Sequence, residues 1–276
     1  MNSRKLISVV LKALVYLAAG IVFATIAGIV VYILINGVEN LTPELFAPIY
    51  TSNNVSALPS LINTVYITLF SLVIAVPLGL FAAIFLVEYS REGNKFVQVI
   101  RIATETLAGI PSIVYGLFGM LFFVVSLHWG YSLLAGTLTL AIMVLPLIIR
   151  TSEEALLAIP VAFREGSFAL GAGKLRTIFT VVLPSAVPGI VAGVVLATGR
   201  IIGETAALIF TAGNAQPKVP DSVFDSARTL ALHMYDLSQE GLHTGAAYGT
   251  AVIILVLVIL INAITAFIAK RIVKIG

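Results

Sequence analysis

The chain has 276 residues, of which 59% are hydrophobic and only 11% charged, with a mean hydropathy of +1.08 and a formal net charge of +3. So few polar groups could not cover the surface of a water-soluble fold, which excludes a soluble globular domain and indicates an integral membrane protein. No cysteine is present, which excludes disulfides and thiolate sites and leaves the redox compartment open.

A bilayer core takes about 20 apolar residues per helical span. Nothing between Lys12 and Glu39 is charged, which predicts a first span over 14–35. That run follows a positive start but exceeds the apolar core of a signal peptide and lacks a clear small-residue cleavage site, so it reads as a retained helix. The uncharged stretch 45–87 opens with "APIYTSNNVSALPS", a loop by its Pro, Asn and Ser content, and leaves 61–87 as the second span. Between Glu105 and Arg150 no residue is charged, and "HWGYS" at 128–132 divides the run into spans three and four. Trp129 and Tyr131 suit a membrane–water interface there. A fifth span is predicted over 188–211 and a sixth over 246–269. The expectation is an all-α integral membrane fold of six transmembrane helices, divided into 1–60 (first helix and outer loop) and 61–276 (a five-helix core).

Basic residues orient the spans. Segments placed inside hold Arg4, Lys5, Lys12, Arg91, Lys95, Arg101, Arg150, Arg164, Lys174, Arg176, Lys270, Arg271 and Lys274, whereas those outside hold only Lys218 and Arg228. Both termini are therefore expected in the cytoplasm, and the basic balance needs no nucleic-acid partner. The longest outside loop, 212–245, has about 34 residues, too few for an independent domain. Within it "DSVFDSARTLALHMYDL" alternates acids and apolar residues at helical spacing, which predicts a short helix serving as a solvated cap or a partner contact. His128, His233 and His243 are scattered on the outside without metal-ligand spacing, so no metal site or other cofactor is expected. Arg101 and Glu105, four apart, read as a surface pair.

The segment "AFREGSFALGAGKLRTIFTVVLP" at 162–184 interrupts this apolar chain. Its "GAGK" is not a phosphate-cradling loop, which needs a glycine five residues before Gly173 and Ser or Thr after Lys174, where Phe168 and Leu175 stand. Pro160 suits a first helical turn, and Gly171 and Gly173 suit its end. A helix over about 160–171 reaches roughly 17 Å, too short to cross, and reads as a cytoplasmic helix between spans four and five.

Span five carries "LATGRIIGETAAL", with Arg200 and Glu204 inside an apolar run, where a charge facing lipid costs a few kcal/mol or more. Four residues apart, they are expected to share a helical face and pair, with Gly193 and Ala197 continuing that face. Two readings stay open: a satisfied pair that fixes helix packing, or an Arg200 that faces a pathway and meets an anion while Glu204 holds it. The planar guanidinium fork suits oxyanions. Arg150 by composition reads as a residue snorkelling at a helix end. Gly189/Gly193 and Gly199/Gly203 have GxxxG spacing that admits a close neighbour in this chain or another, and Pro77, Pro111 and Pro146 are candidate kinks.

Two resemblances narrow these readings. From Glu165 the chain reads "EGSFALG", nine residues, then "VVLP" ending at Pro184, which resembles the E-A-A-x3-G-x9-I-x-L-P signature of permease subunits of ATP-binding-cassette importers. Gly166 and Ser167 stand for the two alanines and Val181 for Ile; Gly166 weakens the helix by about 1 kcal/mol relative to Ala. The resemblance implies a MetI-like type I importer permease in which Glu165, Gly166, Ser167, Leu170 and Gly171 belong to a coupling helix that docks on a separate ATPase. The chain would then be no enzyme itself. "GRIIGETAAL" at 199–208, "LPLIIRTSEEALLAIP" at 145–160 and "IFTAG" at 209–213 resemble phosphate importer permeases, closer to the PstA type than to its PstC-type partner. Ala207 stands where that family often has Pro. The family implies inorganic phosphate as solute, a substrate pathway with Arg200, Glu204 and Arg150, and a PstC-type second permease. It also implies two PstB-type ATPases, a PstS-type binding protein and a bacterial or archaeal plasma membrane. Sulfate or molybdate is the alternative solute. A secondary transporter would usually show inverted repeats, and none is evident. A membrane enzyme would need a base or paired acids within the spans, which hold no histidine and no acids paired at one depth.

Overall fold

A computed structural model describes residues 3–90 and 93–275, with side chains over 7–90 and 93–267. Arg91 lies outside the described residues, as do the side chains of Arg4, Lys5, Lys270, Arg271 and Lys274. No strand occurs among the described residues. The helices are α1 (Ser3–Val38), α2 (Leu58–Ile84), α3 (Lys95–Ala108), α4 (Ser112–Gly119), α5 (Leu133–Leu157), α6 (Val161–Ala169), α7 (Lys174–Thr177), α8 (Leu183–Ile202), α9 (Ala206–Ile209), α10 (Leu230–Glu240) and α11 (Thr244–Ile275). π-helical turns extend α2 through Phe85–Tyr89 and α4 through Met120–Ser126, and a third, Ile178–Val182, joins α7 to α8.

Among the described residues, five stretches are long and apolar enough to cross a membrane: Ile7–Val38, Leu58–Tyr89, Leu133–Leu157, Lys174–Ile202 and Thr244–Phe267. The third expected span differs. It begins at Lys95, and α3 and α4 meet at 100° instead of forming one rod. At roughly 20 Å each, neither half crosses a bilayer alone. Pro111 has no N–H to continue α3 and disfavours helical backbone at Ile110, so the chain breaks over 109–111. The Tyr115 hydroxyl donates to the Leu107 carbonyl at 2.8 Å, satisfying an acceptor at the exposed end of α3. Pro77 and Pro146 lie inside α2 and α5, which run on past them.

The fifth expected span, 188–211, is displaced. Its helical path starts at Lys174 and stops at Ile202. The turn Ile178–Val182, with bonds running i to i+5, carries the chain past Pro184, while Gly203 ends α8.

The core is built around α5, which packs against α2 on one side and α8 on the other. Glycines set both distances. A Cβ on Gly79 of α2 would meet Ile148, and one on Gly189 or Gly193 of α8 would meet Ala155 or Thr151. The Gly189/Gly193 pair therefore serves a helix of this chain, and the small face of α8, with Ala197 fully buried, is a packing seam and not an open path. Gly193→Leu is expected to destabilise by about 1–3 kcal/mol through overpacking. Thermal unfolding in detergent checks this against Gly20→Ala, whose added methyl meets nothing within 4 Å. Helix α1 lies outside this core, held mainly to α11 by a Tyr32–Tyr248 contact and by the close approach of Gly37.

At the α10 end of the bundle, residues 212–229 are irregular but stitched down. Asn63 donates to the carbonyls of Lys218 and Arg228, Thr64 accepts from the Leu230 N–H, and the Leu133 and Leu134 N–H groups donate to Asp225 and Val223. Arg228 and Asp236 form a buried ion pair, with Asn214 donating to the same carboxylate. His233, expected in the outer loop, is fully buried there. Its Nε2 lies 3.1 Å from the Val55 carbonyl, which can only accept, so Nε2 carries the hydrogen and Nδ1 is bare. Burial, and then the Arg228 charge, push its pKa down to about 4 from 6.5. An unfolded chain therefore takes up this proton first. The contribution of neutral His233 is complete above pH 6.5 and is lost as pH falls toward 4, by about 3 kcal/mol in all. Hydrogen exchange of α10 is expected to show less protection at pH 5 than at pH 7, and His233→Gln to flatten that dependence.

Candidate coupling and translocation sites

Two places gather the residues singled out in the sequence. At the end of the bundle opposite α10, α6 stands clear of the core. Glu165 and Gly166 are exposed and none of its residues is buried. Apolar side chains nonetheless face outward: Phe163 is 54%, Phe168 46% and Leu170 90% exposed. The helix stops as its glycine demands. Gly171 has φ +83°, its N–H donates to the Phe168 carbonyl, and the Ala172 N–H donates to Ser167, a Schellman arrangement that favours glycine at that position. Gly173 then begins α7, and Ser167 Oγ lies 2.8 Å from Thr177 Oγ1, binding α6 to the next element.

The second place is the end of α8. Arg200 lies in its last turn, half-buried, where the helix dipole favours a cation. Glu204 does not share its face, because α8 has already ended: Gly203 is the cap and the Glu204 N–H turns back to Ile201. The expected Arg200–Glu204 pair does not form. Glu204, 8% exposed, accepts instead from the Ala207 N–H at 3.1 Å and so caps α9. The physical reason is competition, since a carboxylate just past a glycine cap reaches an orphan donor of the next turn more readily than a side chain one turn back. Arg200 has no hydrogen-bond or ion-pair partner among the described residues, and its charge acts on the nearby Tyr115 of α4. Helix α9 is seated closely against α4, for a Cβ on Gly116 would strike Ala207. Helices α4 and α9, which follow the chain breaks at 109–111 and 203–205, thereby meet near Arg200, whose guanidinium makes no hydrogen bond or ion pair among the described residues.

Arg150 is exposed and ion-paired with Glu154 at 3.0 Å, with Glu105 acting on it electrostatically. It adjoins Thr151, which is level with Gly193, so Arg200 lies about 10 Å further along α8. The two arginines therefore lie at different levels of the bundle. Arg101 pairs with Glu153 at 2.7 Å, across to α5, and not with Glu105 as its spacing suggested.

Residues 75–274 match the family model of the binding-protein-dependent transport system inner membrane component. The chain belongs to this family. It is a permease of an ATP-binding-cassette importer and a multi-pass membrane protein. The probable ABC transporter permease protein YqgI of Bacillus subtilis is 34% identical over 99% of this permease and 98% of its own length. The phosphate transport system permease protein PstA 1 of Mycobacterium tuberculosis is 36% identical over 72% of this permease and 66% of its own length. Among solved structures, a bacterial alginate ABC transporter in complex with its periplasmic protein aligns over 94% of the permease and 96% of that chain, at a TM-score of 0.66 and 16% identity. The MetNI methionine ABC transporter aligns over 78% and 94%, at 0.61 and 23%. These two likenesses bear on the fold, which is that of MetI-like importer permeases, and the family implies an ATPase and a substrate-binding protein as partners.

Sequence reasoning about the permease missed two features at these sites. Tyr115 gave no signal beyond an aromatic in an apolar run, and Arg164 was read only as one more basic residue. Yet Arg164 reaches Glu88, which lies 76 positions away and could not be paired with it by spacing.

Proposed function

We propose that this permease moves inorganic phosphate, as one half of a pore completed by a PstC-type permease. In this reading two PstB-type ATPases dock at α6 and a PstS-type binding protein docks at the α10 end, with both termini in the cytoplasm. Glu165, Gly166, Ser167, Leu170 and Gly171 belong to the ATPase contact. Arg200 meets the anion, Arg150 is a second station along its path, and Glu204 holds the break that sets Arg200 beside α4. The observation that carries the reading is Arg200, a half-buried guanidinium in a membrane helix with no hydrogen-bond or ion-pair partner among the described residues. Intramembrane charges persist where they serve a pathway, and an unpaired arginine fork has the donors a tetrahedral oxyanion needs. The phosphate-transport name of the mycobacterial relative supports the same solute.

Mass spectrometry of what co-purifies with the tagged permease in mild detergent tests it. The expected companions are an ATPase, a second permease and a binding protein carrying phosphate. A binding protein loaded with sulfate or molybdate would replace the solute and keep the rest, whereas a lone chain would remove the assembly altogether.

A further inference from the structure

The large apolar side chains of helix α6 are all exposed, so apolar packing is not what fixes it to the bundle. Its most heavily bonded attachment is one guanidinium. Arg164 Nε and Nη2 both donate to Glu88 Oε1, at 3.0 and 2.8 Å, on the π-helical turn that finishes α2. Nη1 donates to the Ile159 carbonyl at 2.8 Å and Nη2 to the Leu156 carbonyl at 3.0 Å, both at the end of α5. The two side chains are only 15% and 8% exposed. A planar fork making four such bonds allows little independent movement, and an ion pair this sheltered from water is not weakened by screening. A second route closes the circuit: Ser167 meets Thr177 of α7, and the Lys174 ammonium at the start of α7 sits 4.6 Å from the Tyr89 ring centre at the end of α2. Helices α2 and α5 then pack at the Gly79–Ile148 approach, so displacement of their joined ends is carried into the core.

We propose that Arg164 and Glu88 are a positioning pair that ties α6 rigidly to α2 and α5, making movement of α6 into movement of those two helices. This rests on α6 being the ATPase contact. The pair touches neither solute nor nucleotide; it governs how much transport each hydrolysis event produces.

The test uses the assembled complex in liposomes, with inorganic phosphate as the transported probe, and compares wild type with Glu88→Gln and Arg164→Lys. The lysine keeps the charge but cannot make four bonds to three residues on two elements. Each variant is expected to keep ATP hydrolysis within about twofold of wild type while phosphate moved per ATP falls about tenfold. Because the chain has no cysteine, spin labels at Ala162→Cys and Phe85→Cys report the separation of α6 from α2 without any solute. That separation is expected to stay constant between nucleotide-free and ATP-bound states in wild type and to change with nucleotide in Glu88→Gln. Equal loss of uptake and hydrolysis, no loss of either, or a wild-type separation that shifts with ATP overturns the proposal. If wild type takes up no phosphate, the label separation alone decides. Failure of the ATPase-contact reading shows separately, as normal uptake by Glu165→Lys.

Discussion

Replacing Arg200 by glutamine is expected to lower phosphate uptake by about a hundredfold while the permease still inserts and assembles with its partners. Glutamine has nearly the helix propensity of arginine, so the last turn of α8 stands. Because Arg200 makes no ion pair with Glu204, its removal uncovers no buried carboxylate, and Glu204 remains on the Ala207 N–H. What disappears is the charge and the donor fork. Arg200→Lys, which keeps a point charge without the fork, is expected to fall between the two. Glu204→Gln serves as the contrast, since its amide oxygen can still accept from Ala207 and α9 should keep its seat; a much smaller loss is expected there. Uptake measured on equal amounts of assembled complex checks all three, and unchanged transport by Arg200→Gln would show that the arginine serves only the helix end.

Glu165→Lys is the second large effect. The residue is exposed and its side chain makes no hydrogen bond or ion pair among the described residues, so reversing its charge should change the permease's own stability by no more than about 0.5 kcal/mol. At a docking surface the same change is far from neutral, because a like-charge contact or an unpaired partner is left at the interface. The expected result is membrane insertion at the wild-type level, loss of the co-purifying ATPase, and no detectable uptake. Native gel electrophoresis together with uptake measures both halves, and normal uptake would remove α6 from the coupling role.

Much of the architecture was legible without coordinates, and for a plain reason. The bilayer demands long uncharged stretches, so the helices near 14–35, 61–87 and 246–269 and the one before Arg150 announce themselves by composition alone. The end of α6 was equally legible, because left-handed backbone there calls for Gly171. The "EGSFALG" spacing likewise pointed to the importer-permease family that residues 75–274 match.

Composition says where a chain can be helical, but not where two helices are interrupted to meet. An uncharged run reads the same whether it is straight or turns through 100° at 109–111. Helical spacing made Arg200 and Glu204 a pair, and Arg101 and Glu105 another. Tertiary structure dissolved both, ending α8 at Ile202, two residues before Glu204, and offering Arg101 a nearer carboxylate on α5. It also created what spacing could not show: the Arg164–Glu88 contact, the burial of His233, and an Arg200 with no hydrogen-bond or ion-pair partner among the described residues. Local hydrophobicity and backbone preference were enough for the solvent, four of the spans and the exposed helix. Which charges meet depends on distances between segments far apart in the chain, and only the packed bundle decides those.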